Sequence, residues 1–203
     1  MNLLLATNNI GKLAEIRAML AELPINLRTL SDFPNLERVK EIGKSYEENA
    51  AIKARAYARQ SGVWALADDS GLEVKALRGA PGVLSARYAG AGASDSDRIA
   101  LLLSQIDREG GTDRTARFVC TTALTDSTAS LLKVASGTCN GQIIDSPRGT
   151  NGFGYDPIFV PDGFDQTFAE LSADKKNVIS HRAKALQVIR ALLKVCLLLQ
   201  RNS

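Results

Sequence analysis

The chain has 203 residues, 45% of them hydrophobic and 23% charged, with a net charge of +3. That supplies a full core for one domain, or for two small lobes sharing a core, and the scattered lysines and arginines count against a nucleic-acid-binding module. Cys120, Cys139 and Cys196 are widely spaced and the chain has a single histidine, which excludes a zinc site and points to free thiols in a reducing cytoplasm.

Residues 3–6 read as a short buried strand, without the basic segment and long apolar run of a signal peptide. Residues 11–23 follow as a helix with Leu13, Ile16, Leu20 and Leu23 on one face, and Pro24 ends it. After a loop punctuated by Pro34, a second, alanine-rich helix starts near Ser45. Ser45 and Glu48 predict a capping box, Gly62 a stop, and Asn49 and Lys53 share a face. Residues 63–67 form the next strand and Asp68-Asp69-Ser70-Gly71 its C-terminal end, with 72–77 continuing as an extended segment. Gly79-Ala80-Pro81-Gly82 is a turn. Residues 94–106 predict a third helix with Ile99, Leu102, Leu103 and Ile106 inward. Residues 115–125 have the β-branched and aromatic content of a strand, and 131–135 suit an antiparallel partner across Asp126-Ser127. A loop rich in Gly, Pro and Asn covers 146–157, and 158–160 is a short strand. Thr167 and Glu170 cap a short helix, and 180–199 is the last helix with Leu186, Ile189 and Leu193 inward. Its apolar end, Val195-Cys196-Leu197-Leu198-Leu199, is too short to span a membrane. It reads as the close of an amphipathic helix or a patch covered by a partner subunit. Alternating strands and helices followed by clustered strands predict an α/β class with a mixed sheet, and the lack of repeats or long linkers a single domain over 1–203.

Several short segments can carry chemistry. Thr7-Asn8-Asn9-Ile10-Gly11-Lys12 joins a strand to a helix start, where unpaired amides and a lysine suit phosphate. It lacks the first Gly and the Ser/Thr of a P-loop, and an ordinary turn with a surface lysine fits the same residues. Asp68 and Asp69 are suited to Mg²⁺ and to activating a water. Strand alternation sends them to opposite faces, so only one meets a substrate. Glu41, Glu47 and Glu48 precede or open the second helix, where acidic residues also serve the helix dipole. Arg87 and Tyr88 contact phosphate or ribose, or pack as a surface corner. The 149–156 segment has three glycines that permit close backbone approach, and Phe153 and Tyr155 suit a flat base. His181-Arg182, following Lys175-Lys176, can donate to a carbonyl on a base edge, although a lone histidine is more often structural.

In this order the pieces resemble the inosine triphosphate pyrophosphatase, or Ham1-like, family. The matching residues are Ala6-Thr7-Asn8-Asn9-Ile10-Gly11-Lys12, Tyr46-Glu47-Glu48-Asn49-Ala50, Ala67-Asp68-Asp69-Ser70-Gly71-Leu72, Gly79-Ala80-Pro81-Gly82-Val83-Leu84-Ser85-Ala86-Arg87-Tyr88, Gly152-Phe153-Gly154-Tyr155-Asp156-Pro157 and Ile179-Ser180-His181-Arg182. The resemblance implies a two-lobed α/β (Maf/Ham1-like) fold with a long mixed sheet flanked by helices and a central cleft, assembled as a cytoplasmic homodimer. It implies Mg²⁺-dependent hydrolysis of ITP, dITP and XTP to the monophosphate and pyrophosphate, with neither nucleic acid nor membrane as partner. Carried over by position, Asp69 is the general base and a metal ligand, and Glu41 the other ligand. Thr7, Asn8, Asn9, Ile10, Gly11, Lys12, Lys53 and Ser70 hold the triphosphate. Phe153, Gly154, Tyr155, Asp156, Lys176, His181 and Arg182 form the base pocket. One departure stands out: the family usually has two acidic residues before Thr-Gly, where this chain reads Lys40-Glu41-Ile42-Gly43. Readings as a catalytically inactive nucleotide-binding regulator, or as a pyrophosphatase for other nucleotides, use the same residues.

Overall fold

The computed structural model describes residues 1–110 and 112–201. Its elements are β1 (Asn2–Leu5), α1 (Ile10–Leu20), β2 (Asn26–Thr29), α2 (Tyr46–Ser61), β3 (Trp64–Val74), α3 (Asp95–Arg108), β4 (Thr115–Thr125), β5 (Leu131–Ile143), β6 (Phe159–Pro161), α4 (Ala173–Ile179) and α5 (His181–Arg201). The strands form a mixed sheet in the order β2-β1-β3-β4-β5-β6. β1 runs parallel to β2 and β3, with Leu3 opposite Trp64 and Leu5 opposite Leu66, while β5 and β6 are antiparallel. The chain divides into two compact units. Unit 1 holds Met1–Asp69, Cys120–Gly137 and the chain from Arg182 on; unit 2 holds Ser70–Val119 and Thr138–His181.

In unit 1 the alternation along β1 and β3 sorts side chains between two cores. Leu3, Leu5 and Leu66 pack with Ile16 and Leu20 of α1 and Leu186, Ile189 and Leu193 of α5. Leu4, Ala6, Ala65 and Ala67 pack with Ala50, Ala54, Tyr57 and Ala58 of α2. The alanines explain why α2 needs no large apolar stripe: with no bulk between them, helix and sheet come close. Unit 2 has its own core, in which Leu72, Val74, Ile99, Leu102, Ile106, Phe118, Tyr155, Phe159 and Phe168 are buried. Phe118 meets Phe159 edge-on at 4.7 Å between ring centroids.

The predicted boundaries mostly fall within a turn of those observed, with informative exceptions. β3 continues without a break through Asp68 and Asp69 to Val74, so the two carboxylates lie inside a strand and not at its end. β2 escapes prediction, because the four residues Asn-Leu-Arg-Thr of a short edge strand carry little alternation. α4 escapes it likewise: it is seven residues long, and of them only Lys176 is buried. α1 stops at Leu20, short of Leu23, although Leu23 is still buried. Ser45 caps α2 by accepting from Glu48 N–H, but the Glu48 carboxylate turns to Lys44 N–H at 2.6 Å, so the predicted capping box is only half formed. Gly62 ends α2 in the left-handed region at φ 68°. Thr167 and Glu170 do bond reciprocally, but around a turn and not a helix. Among the described residues no helix is long and apolar enough to cross a membrane.

Candidate active site

The sorting of β3 side chains continues past the apolar residues. Asp68 falls on the Leu66 side, toward α1 and α5, and Asp69 on the Ala67 side, toward α2. The two neighbours therefore live in different chemistry.

Asp68 is 1% exposed. One oxygen is ion-paired with Lys12; the other accepts from Arg182 Nε at 3.0 Å and from Cys120 Sγ at 2.8 Å. Burial pushes its pKa up, but Arg182 and Lys12 outweigh burial and hold the carboxyl well below the usual carboxylate range. Arg182, itself 1% exposed, is also paired with Glu15. Asp68 is thus a permanently charged hub.

Asp69 accepts from Asn49 Nδ2 at 2.9 Å and lies 3.9 Å from Lys53 Nζ. Its carboxyl is shifted upward, first by burial and further by Glu41, against the pull of Lys53, Asn49 and Lys12. A carboxylate moved toward neutrality can take up a proton; one pinned by two cations cannot. The shared face predicted for Asn49 and Lys53 on α2 is what brings both onto Asp69.

Lys53 also donates to Glu41 at 2.6 Å and to the Asp68 carbonyl at 2.7 Å. Glu41 and Asp69 therefore flank one ammonium, and a cation already favours the space between them. Among the described residues no group of three or more metal-ligating side chains occurs. A pair of carboxylates nonetheless fits Mg²⁺, which takes one or two from the protein and completes its shell with water and phosphate.

The Thr7–Lys12 loop is less open than its sequence suggests. Asn9 caps α1 by accepting from Lys12 N–H at 2.9 Å, and Thr7 Oγ1 accepts from Asn9 N–H at 3.2 Å. Lys12 Nζ is held by Asp68. Ile10 and Gly11 open α1, where the first amides have no carbonyl of their own helix to bond, so the first turn presents donors. Asn8 and Ile10 are exposed.

In unit 2, Ser70 is the next residue of β3 and is half-buried. Gly149, Gly152 and Gly154 all have positive φ. At Gly152 a Cβ would overlap the Asp156 carboxylate, so only glycine fits. Asp156 accepts from Phe153 N–H at 2.8 Å and is ion-paired with buried Lys176, whose Nζ lies 4.8 Å from the Phe153 ring centre. His181 stacks on Phe118, with centroids 4.7 Å apart and rings 9° from parallel.

Two of the residues assigned to the base pocket have contacts that their type does not announce. Tyr155 is 4% exposed, packs in the core and donates its hydroxyl to the Ser85 carbonyl at 3.1 Å. Arg182, in unit 1, pairs its guanidinium with Asp68 and Glu15. Glu15 escapes sequence reasoning, although its spacing from Lys12 puts both on one face of α1. Cys120 carries no signal beyond its expected burial.

Residues 3–192 match the Ham1 family profile. The chain belongs to the Ham1 family. It is 50% identical over 188 residues to a dITP/XTP pyrophosphatase of Geobacter sulfurreducens, covering 93% of this chain and 94% of that protein. A Ham1 protein of Coxiella burnetii superposes with a TM-score of 0.87 at 42% identity, over 96% of this chain and 98% of that one. The Staphylococcus aureus Ham1 protein does so with a TM-score of 0.83 at 40% identity, over 96% and 98%. The Ham1 resemblance drawn from six short motifs thus extends over nearly the whole chain.

Proposed function

We propose that this Ham1 family chain hydrolyses deaminated purine nucleoside triphosphates, dITP, ITP and XTP, to the nucleoside monophosphate and pyrophosphate, clearing them from the nucleotide pool. The observation that carries the reading is the division of labour between adjacent carboxylates: Lys12, Arg182 and Cys120 hold Asp68, while Asp69 faces Asn49 and Lys53, which also binds Glu41. In this reading Asp69 orients a water toward the α-phosphorus and takes its proton. The amides of Ile10 and Gly11, with Thr7, Asn8 and Asn9 shaping the turn, and Lys12, Lys53 and Ser70 hold phosphate oxygens. Glu41 and Asp69 would hold Mg²⁺, whose charge offsets that of the triphosphate.

Base selection falls to unit 2. Inosine and xanthosine carry a 6-oxo group where adenosine carries an amino group. Donors on Lys176 and His181 reward the oxo group and leave an amino group badly paired. Phe153 supplies the ring face, and Asp156 holds Lys176 in place. Arg182 acts at a remove, by fixing Asp68. We further propose that 1–203 works as one ITPase-like domain, as a cytoplasmic homodimer, consistent with the exposed Val195, Leu198 and Leu199 on α5.

The test is pyrophosphate release with Mg²⁺ from ITP, ATP and GTP, by wild type and Asp69→Asn. Release from ITP well above that from ATP, abolished in the variant, is expected. Equal turnover of all three would overturn the substrate class, and an active Asp69→Asn the choice of base.

A further inference from the structure

Three consecutive residues of the glycine-rich segment are each anchored differently. Phe153 N–H is held inside the segment by Asp156. The Tyr155 hydroxyl reaches the carbonyl of Ser85, whose own side chain is fixed between Leu72 N–H at 2.9 Å and the Gly82 carbonyl at 2.6 Å. Between them, Gly154 N–H donates to Asp95 Oδ2 at 2.6 Å.

Asp95 is the first residue of α3, and an acidic residue there ordinarily serves the helix dipole. Here that end is already served. Ser94 and Asp97 close a capping box, with Asp97 N–H on Ser94 Oγ at 3.1 Å and Ser94 N–H on Asp97 Oδ2 at 2.8 Å. The Asp95 carboxylate turns instead to a segment 59 residues away. Its other oxygen is ion-paired with Arg98, and Arg98 Nη1 donates to the carbonyls of Ala93 at 2.6 Å and Ala86 at 3.2 Å. Both carboxylate oxygens of Asp95 are therefore engaged, one by Arg98 and one by the Gly154 amide. Gly154, with φ 63°, has no side chain to fix its peptide, so the amide contact sets the peptide's orientation.

We propose that Asp95 is a positioning residue for nucleobase selection: through the Gly154 amide it holds the 152–156 segment, and with it Phe153 and Asp156, in the geometry that receives the base. The proposal rests on the base-binding role given to that segment above.

The experiment compares wild type, Asp95→Ala, Asp95→Asn and Ser94→Ala. It measures KM and kcat for ITP and ATP, and hydrogen exchange across 149–156 without nucleotide. Loss of a charge-assisted bond predicts a rise of roughly tenfold in KM for ITP in Asp95→Ala, with kcat within about twofold and a lower ITP-to-ATP preference. Exchange across 149–156 is expected to quicken by a similar factor. Asp95→Asn keeps an acceptor oxygen and recovers most of both. Ser94→Ala weakens the helix cap alone and leaves KM unchanged. If KM and exchange stay at wild-type values in Asp95→Ala, or if Ser94→Ala reproduces its effect, the proposal is overturned. Should Asp95→Ala not fold, Arg98→Gln decides: it loosens the carboxylate without removing it, and an unchanged KM and exchange rate there overturn the proposal too. Failure of the wild type to hydrolyse ITP would instead strike the proposed function, while the exchange measurement would still judge the anchoring role.

Discussion

Replacing Asp68 by Asn keeps the shape of the side chain and removes its charge. In the folded chain that charge faces Lys12, Arg182 and the Cys120 thiol, and the side chain has no exposure. Arg182 would keep Glu15 but lose its second anion inside the protein, and Lys12 would lose its partner. Breaking a buried pair by removing one member costs about 3–5 kcal/mol. For a chain of this size each kcal/mol moves the midpoint by about 2–4 °C, so Tm should fall by roughly 10 °C. The effect also has a pH signature. The cations hold the folded carboxyl below its ordinary value of 3.8, so on acidification the unfolded chain takes up this proton first. The charge therefore contributes its full stability above the unfolded pKa, and the contribution is lost as pH falls below it. Urea titrations of wild type and Asp68→Asn, in chelator, should give a constant gap from about pH 5 to 8 that narrows by about pH 3. A variant melting within about 2 °C of wild type at pH 7 would refute the account of Asp68 as a buried ionic hub.

Asp69→Asn should behave in the opposite way. The carboxyl is shifted upward by burial, so its charge is a cost to the fold at neutral pH, and the amide is expected to leave Tm at pH 7 unchanged or higher, while pyrophosphate release from ITP falls by about 10²–10⁴-fold. A large fall in Tm would place Asp69 among the structural charges. His181→Phe keeps a ring to stack on Phe118 and removes the ring donors, so the ITP-to-ATP ratio of kcat/KM should drop by about tenfold; an unchanged ratio would remove His181 from base selection. Cys120 and Cys139 are buried and Cys196 is half-buried, and burial further raises the Cys120 thiol. Ellman's reagent should therefore leave Cys120 and Cys139 unreacted in the native protein and titrate all three thiols after unfolding.

Much of this protein is legible in one dimension because the signals are local. Leu3, Leu4 and Leu5 announce a strand covered on both faces, the alanines of α2 a helix laid close on a sheet, and Gly62 its end. The run of motifs from Thr7 to Arg182 is long enough to identify the family. Strand alternation by itself assigns Asp68 and Asp69 to opposite faces. What the sequence cannot say is which face holds the cations. That was decided when α1 and α5 packed on one side of β3 and α2 on the other. Packing brought Lys12 and Arg182 to Asp68 and left Asn49 and Lys53 to Asp69. The same is true of Tyr155, which is suited to stacking by type but is drawn into the core by the Ser85 carbonyl, and of Asp95, which is a helix-dipole residue by position but is committed to Gly154. Residue type and spacing set what each side chain can do, because chemistry and periodicity are local properties. Burial, charge partners and hence protonation depend on residues as far apart as 68 and 182, and only the folded chain brings those together.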